Sequence, residues 1–145
     1  MNSIVKGLIN EKIFVDTSAW FALMYKMDRD FERISSVYNT LLTNNNSFIT
    51  TNHIIGETYT LMRYKINENS TLAFDFLNII ESSLRINKIF VTEELEKKAC
   101  EYLKRYKDRK FSFVDASSFA LMEKNNLRYA LTLDEHFSVA GFIKI

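Results

Sequence analysis

The stretch Ile13-Phe14-Val15-Asp16-Thr17-Ser18 decides how the rest of the chain is read. Three apolar, β-favouring residues in succession describe a short strand buried on both faces, as in a parallel sheet covered by helices. The strand ends on a carboxylate, followed by two residues that cap helices or bind anions. Ligands of open α/β sheets gather at the carboxyl ends of strands, so Asp16 is the first candidate for chemistry.

Working outward, residues 1–12 carry Ile4, Val5, Leu8 and Ile9 at roughly helical spacing, which fits either a short lead-in helix or a poorly ordered tail. Downstream, residues 19–25 form an apolar, aromatic helix. A second helix starts near Asp30, with Phe31, Ile34, Val37, Tyr38, Leu41 and Leu42 on the 3.6-residue period until Asn44-Asn45-Asn46 breaks it. Residues 47–50 read as a second strand. Asn52 is the expected cap of the next helix, which carries Ile54, Ile55, Thr58, Leu61 and Met62 on one face. After the loop at 67–70, Leu72, Phe76, Leu77 and Ile80 line a helix reaching about residue 84. Residues 88–91 form a third strand, and Thr92 caps a helix to about residue 105. A helix over 112–125, rich in small and apolar residues, is expected to be buried; strands follow at 129–132 and, on an edge, at 142–145. Strands alternating with helices predict one α/β domain over residues 1–145, with a mainly parallel central sheet of four to five strands covered on both faces.

Composition narrows the function classes. The net charge of +1 gives no global basic field for nucleic acid, so any such affinity must be local. Cys100 is the one cysteine, which excludes an internal disulfide framework or a cysteine zinc site and suits a reducing, cytoplasmic setting. No apolar run reaches the length of a membrane span, and Lys6 interrupts the hydrophobic stretch near the N-terminus, so neither a membrane partner nor a signal peptide is expected. With Gly7, Gly56 and Gly141 as the only glycines, there is no phosphate-cradling loop, and no Gly-x-Ser-x-Gly elbow is present. His53 and His136 look too few and too scattered for a zinc site.

Four carboxylates stand out. Asp16 follows the first strand and Asp134 the fourth; Glu57 lies at the rim of an apolar helical stripe, and Asp115 on a stripe with Phe119 and Met122. Each alone has a plain structural explanation. Asp16 would cap the following helix, Glu57 would pair with a Lys, an Arg or His53, Asp115 would close a capping box with Ser112, and Asp134 would make a turn. Together they fall at the carboxyl edge of one sheet. Carboxylates meeting there repel one another unless cations neutralise them. Oxygen-rich acidic clusters suit magnesium or manganese, and two such ions about 4 Å apart can hold a phosphodiester for hydrolysis.

The order Ile13-Phe14-Val15-Asp16-Thr17-Ser18, His53-Ile54-Ile55-Gly56-Glu57, Ser112-Phe113-Val114-Asp115-Ala116 and Leu131-Thr132-Leu133-Asp134-Glu135-His136-Phe137 resembles PIN-domain proteins, in particular the VapC-type ribonuclease toxins of toxin–antitoxin pairs. The resemblance runs from about Lys12 to the C-terminus. It implies a PIN-like three-layer α/β/α fold and cleavage of RNA dependent on Mg2+ or Mn2+. It also implies a small antitoxin partner and a homodimer. Asp16 and Asp115 would be the principal metal ligands, with Glu57 and Asp134 completing a catalytic acidic pocket. Thr17, Ser18 and Thr132 would be polar helpers for water or phosphate. The twelve-residue lead-in departs from the family pattern, in which the first strand begins almost at the N-terminus.

Lys104, Arg105, Lys107, Arg109 and Lys110, with Tyr102 and Tyr106 interleaved, could grip an RNA backbone beside that pocket, or simply complement a solvated helix end. Trp20, Phe21, Leu23, Met24, Phe31 and Tyr38 belong mainly to the core, and a strip left exposed could dimerise or receive an antitoxin peptide. Two other functions use similar parts. A receiver-type phosphoacceptor wants paired acids after its first strand and a lysine beyond its last major strand; this chain offers Glu11 before the first and Glu135-His136 after the fourth. A non-catalytic PIN-like scaffold would not need all four acids.

Overall fold

The computed structural model describes residues 2–145. Its centre is β1 (Lys12–Val15), whose Ile13, Phe14 and Val15 are fully buried. That run of three is covered on both faces, so it has no polar alternation. β1 pairs in parallel with β2 (Ser47–Thr51) on one side and β4 (Tyr129–Leu131) on the other. β3 (Ile86–Ile89) and β5 (Ile143–Lys144) close the edges, giving a five-stranded parallel sheet in the order β3-β2-β1-β4-β5.

Parallel neighbours require crossovers, and the crossovers supply the outer layers. α2 (Thr17–Met24) and α3 (Phe31–Thr43) join β1 to β2, and α4 (Asn52–Lys65) and α5 (Leu72–Ser82) join β2 to β3. These steps run one way across the sheet. α6 (Glu93–Arg105) and α7 (Phe113–Lys124) carry the chain back from β3 to β4, and α8 (His136–Val139) continues to β5. Right-handed crossovers therefore place α2–α5 on one face and α6–α8 on the other, the three-layer α/β/α arrangement expected. The reversal of direction falls between β1 and β4. That is the topological switch point, where the carboxyl ends of two adjacent strands diverge and leave a crevice.

Several boundaries differ from the sequence reading, each for a local reason. β3 starts two residues earlier than expected: buried Ile86 pairs opposite Phe48, whereas Phe90 is 61% exposed and lies beyond the strand. The cap of α4 is Thr51, whose hydroxyl accepts from the Ile54 amide at 3.0 Å; Asn52 instead accepts from Val91 N at 2.8 Å, tying the end of β3 to α4. Helix α5 stops at Ser82, and Leu84 is fully exposed. The short α8 falls where the sequence suggests only a turn; its Phe137 is completely buried and anchors it.

Of the lead-in, Met1 lies outside the described residues, and Ser3–Gly7 forms helix α1, which packs against α3. Val5 and Leu8 are buried. Asn46 locks the lead-in in place: its fully buried side chain donates to Leu8 O at 2.9 Å and Leu41 O at 3.0 Å, and accepts from Glu11 N at 2.7 Å. Removing that amide strands the Leu8 carbonyl and the Glu11 amide and leaves Leu41 O with the Asn46 backbone amide alone. Asn46→Ala is expected to lower stability by about 2–4 kcal/mol, measured by urea unfolding.

Candidate active site at the sheet switch point

Asp16 is the residue after β1, and its amide still pairs with Leu131 O of β4 at 3.1 Å. It occupies the N-cap position of α2, but its side chain makes no capping bond. The carboxylate turns across the crevice instead. Its Oδ2 accepts from Thr132 Oγ1 at 2.9 Å and from Ser18 Oγ at 3.1 Å. Those hydroxyls in turn accept backbone amides: Thr132 Oγ1 from Asp134 N at 3.0 Å, and Ser18 Oγ from Leu133 N at 2.9 Å. One buried carboxylate thus sets the path of the chain leaving β4.

That path carries Asp134 and His136 to Asp115. Asp134 makes the expected turn, its Oδ1 accepting from His136 N at 2.9 Å. Asp115 closes the capping box that opens α7: Ser112 Oγ accepts from Asp115 N at 2.9 Å, and Asp115 Oδ2 accepts from Ser112 N at 3.0 Å. The imidazole Nδ1 of His136 lies 3.2 Å from Asp115 Oδ2 and 3.5 Å from Asp134 Oδ2. One ligand atom from each of Asp115, Asp134 and His136 lies within 4.8 Å of the other two. The cap and the turn are therefore the means by which the backbone aims two acids at one point.

Asp16 and Glu57 stand outside this triad. Asp16 is close enough that the charge of Asp115 helps to raise its pKa, but the main cause is burial: with 5% of its surface exposed, desolvation pushes the carboxyl from 3.8 up to about 6. Hydrogen bonds from Thr132, the Thr17 amide and Ser18 offset part of that rise. Glu57 is exposed on α4, where it lines a groove with Phe113 and Val114; it makes no hydrogen bond or ion pair with the described residues. His53, one of the partners considered for it, holds Ser117 Oγ at 3.2 Å instead.

The remaining predicted residues divide. Ser18 and Thr132 are engaged with Asp16, while Thr17 Oγ1 is buried without a partner among the described residues. Arg105, Lys107, Arg109 and Lys110 are exposed around the turn between α6 and α7. The tyrosines between them are packed inward: Tyr106 sits against Tyr102 and against Phe111, whose ring meets His136 edge-on at 5.0 Å. The basic turn thus borders the acidic cluster. His136 is the residue that sequence reasoning missed. Its signal was local: Asp134-x-His136 places two ligand types on one turn after a strand.

A divalent cation fits this site. The two carboxylates suit magnesium or manganese, and the imidazole adds a nitrogen donor of the kind transition metals accept. The buried carboxyl of Asp16, and a buried hydroxyl of Thr17 with no partner among the described residues, are groups that a nearby cation and its waters would compensate.

The chain is similar to known proteins over most of its length. The PIN-domain family pattern matches residues 13–143. The chain is 35% identical over 133 residues to the 23S rRNA-specific endonuclease VapC20 of Mycobacterium tuberculosis, covering 92% of this chain and 97% of that protein. The crystal structure of M. tuberculosis VapC20, described as a sarcin–ricin loop cleaving toxin, superposes with a TM-score of 0.82 at 34% identity, covering 92% and 98% of the two chains. A VapC ribonuclease of Archaeoglobus fulgidus is 30% identical over 127 residues, 86% of this chain and 78% of that one.

The raised pKa of Asp16 has a consequence for stability. Above an unfolded-state value of 3.8, the folded protein holds the proton more tightly than the unfolded chain. Without metal, stability is therefore expected to fall as pH rises from 3.8 to about 6, by at most about 3 kcal/mol. Asp16→Asn should remove this dependence and stabilise the metal-free protein at neutral pH, measured by thermal unfolding across that range.

Proposed function

The chain belongs to the PIN-domain family, among the VapC-type toxins, and from that premise we propose that it is a divalent-metal-dependent endoribonuclease, the toxin of a type II toxin–antitoxin pair. The observation that carries the proposal is the convergence of Asp115, Asp134 and His136 within 4.8 Å of one another at the sheet switch point, beside the buried Asp16. Asp115 and Asp134, with His136, would hold the cation, and Asp16 would add its charge from below once ionised. Glu57, exposed on α4 in a groove with Phe113 and Val114, would complete the acidic pocket from that side. A bound Mg2+ or Mn2+ would supply charge neutralisation, orientation of a phosphodiester and activation of a water.

The chain's own residues do the positioning. Ser18 and Thr132 hold the Asp16 carboxylate and the backbone of Leu133 and Asp134. Thr17 offers a hydroxyl not engaged within the described residues. Arg105, Lys107, Arg109 and Lys110 would draw the RNA backbone toward the cluster by neutralising phosphates. Identity to VapC20 over nearly the full length supports ribosomal RNA as the substrate class, and the sarcin–ricin hairpin of 23S rRNA as the first substrate to test.

The antitoxin reading has a place to act. Trp20, Leu23 and Met24 of α2, Phe31 and Tyr38 of α3 and Phe76 of α5 border an apolar cleft of about 380 Å³. An apolar helix or strand from a small partner protein would fill it.

The deciding experiment is cleavage of a synthetic sarcin–ricin hairpin and of mixed cellular RNA, with Mg2+, Mn2+ or a chelator. Asp115→Asn keeps an acceptor oxygen for the capping box, so it should fold and yet lose activity by at least about a hundredfold. A folded Asp115→Asn protein that cleaves normally would overturn the assignment, and metal-independent binding without cleavage would identify a scaffold. Replacing Lys107, Arg109 and Lys110 together by Gln should weaken RNA binding. The same change should make its salt dependence shallower, by about 0.7 in log–log slope for each phosphate no longer neutralised. A filter-binding series at increasing salt measures this.

A further inference from the structure

Phe111 joins the basic turn to the acidic cluster. It lies between Lys110 and Ser112, the cap of α7, and is 8% exposed. Its ring centroid is 5.0 Å from that of His136 with the planes at 65°, an edge-on contact. The same ring meets Tyr106 at 5.3 Å and Phe119 at 5.2 Å. Phe119 is fully buried and in turn meets Phe137, the residue after His136, at 5.0 Å. Phe111 is therefore braced by the core, while the imidazole it faces is 35% exposed.

Helix capping does not account for this aromatic. An apolar residue just before an N-cap ordinarily packs on the fourth residue of the helix, and here that is Ala116, too small to fix a phenyl ring. The ring touches the imidazole of the cluster instead. A histidine needs such a wall, because its χ2 torsion is broad, and bonds to the backbone alone do not set the plane of the ring. The His136 amide is held by Asp134 Oδ1, and Nδ1 lies 3.2 Å from Asp115 Oδ2 and 3.5 Å from Asp134 Oδ2. Both carboxylates are themselves groups that a cation would engage. Phe111 has no ligand atom, so its hold on the imidazole does not compete with a metal.

We propose that Phe111 is a positioning residue, which fixes the plane of the His136 imidazole so that a ring nitrogen is presented to a cation held by Asp115 and Asp134. The proposal rests on the metal-dependent ribonuclease reading, in which His136 helps to hold the cation, and extends it to metal selectivity. An imidazole nitrogen suits transition ions such as Ni2+, whereas Mg2+ takes oxygen ligands. Loss of the phenyl ring therefore weakens the site selectively, for the ion that uses the nitrogen.

The test titrates the metal-free full chain with Mg2+ alone and with Ni2+ in the absence and presence of competing Mg2+, by calorimetry, so that only Ni2+ at the shared site is counted. Phe111→Leu keeps the position apolar but removes the ring, and Phe111→Met, closer in volume, is measured beside it. Phe142→Leu controls for lost packing, since it removes a ring stacked on Phe119 at 5.7 Å in the same aromatic group. Thermal unfolding establishes that each variant folds. In both Phe111 variants, Ni2+ affinity is expected to fall about tenfold or more, the range found when a group orienting a metal ligand is lost, with Mg2+ affinity changed much less. His136→Ala should show the same selective loss, and adding Phe111→Leu to it should change nothing more. Equal losses for the two ions would overturn the proposal, as would an unchanged Ni2+ affinity. A further selective loss on top of His136→Ala, or the same selective loss in Phe142→Leu, would also overturn it. So would a wild-type protein in which Ni2+ and Mg2+ do not compete. Because every readout is binding, failure of the ribonuclease reading shows separately, as wild-type protein that binds both ions at one site and cleaves neither the hairpin nor mixed RNA.

Discussion

The geometry of the site depends on one buried carboxylate. Asp16 sits at the end of the central strand with almost no exposure to water, and its Oδ2 accepts two hydroxyl protons, from Ser18 and Thr132. Each hydroxyl passes the constraint on by accepting a backbone amide, from Leu133 and Asp134. Two strands that belong to opposite halves of the fold are thereby tied at their carboxyl ends. The tie fixes the turn that carries Asp134 and His136. It also leaves a carboxyl whose ionisation is opposed by desolvation, a state that a neighbouring cation relieves.

The other half of the site reaches the same point by different means. Asp115 is aimed by a capping box, a device that ordinarily only satisfies amides at a helix start. Here the same carboxylate oxygen that accepts from Ser112 N also meets His136 Nδ1. The structural and chemical explanations of this acid are therefore not rivals. Asp134 behaves likewise, accepting from His136 N through one oxygen while the other approaches the imidazole. Using local capping bonds to orient ligands is economical, because those bonds form with the helix and turn themselves and do not depend on distant packing.

Much of the architecture was legible because burial on both faces writes itself as short unbroken apolar runs. Ile13-Phe14-Val15 and Phe48-Ile49 read as strands for that reason. The edge strand β3 did not: at an edge only one residue, Ile86, needs to be buried, so the apolar run Ile89-Phe90-Val91 drew the expectation two residues too far along the chain. The helix cap at Thr51 was displaced by a competing candidate, Asn52, whose side chain serves a contact across the fold to Val91. Such a long-range bond leaves no trace in local sequence. The alternatives open for Asp16 and Glu57 were separable only in three dimensions, since a cap position without a capping bond looks the same on paper as one with it.

By itself, the sequence determined the class of fold, the four acids and their order along it, because alternating apolar periods and strand-terminal carboxylates are properties of neighbours in the chain. Which side chains meet was decided by the tertiary structure. The reversal of strand order between β1 and β4 brings Asp16 and Thr132, far apart in the chain, to one crevice. That reversal admits His136 to the cluster and leaves Asp16 buried beside it, while Glu57 stays exposed on α4. The reason is physical: distances between ligand atoms follow from packing and from the desolvation of whatever lies beneath, and neither is encoded at any single position.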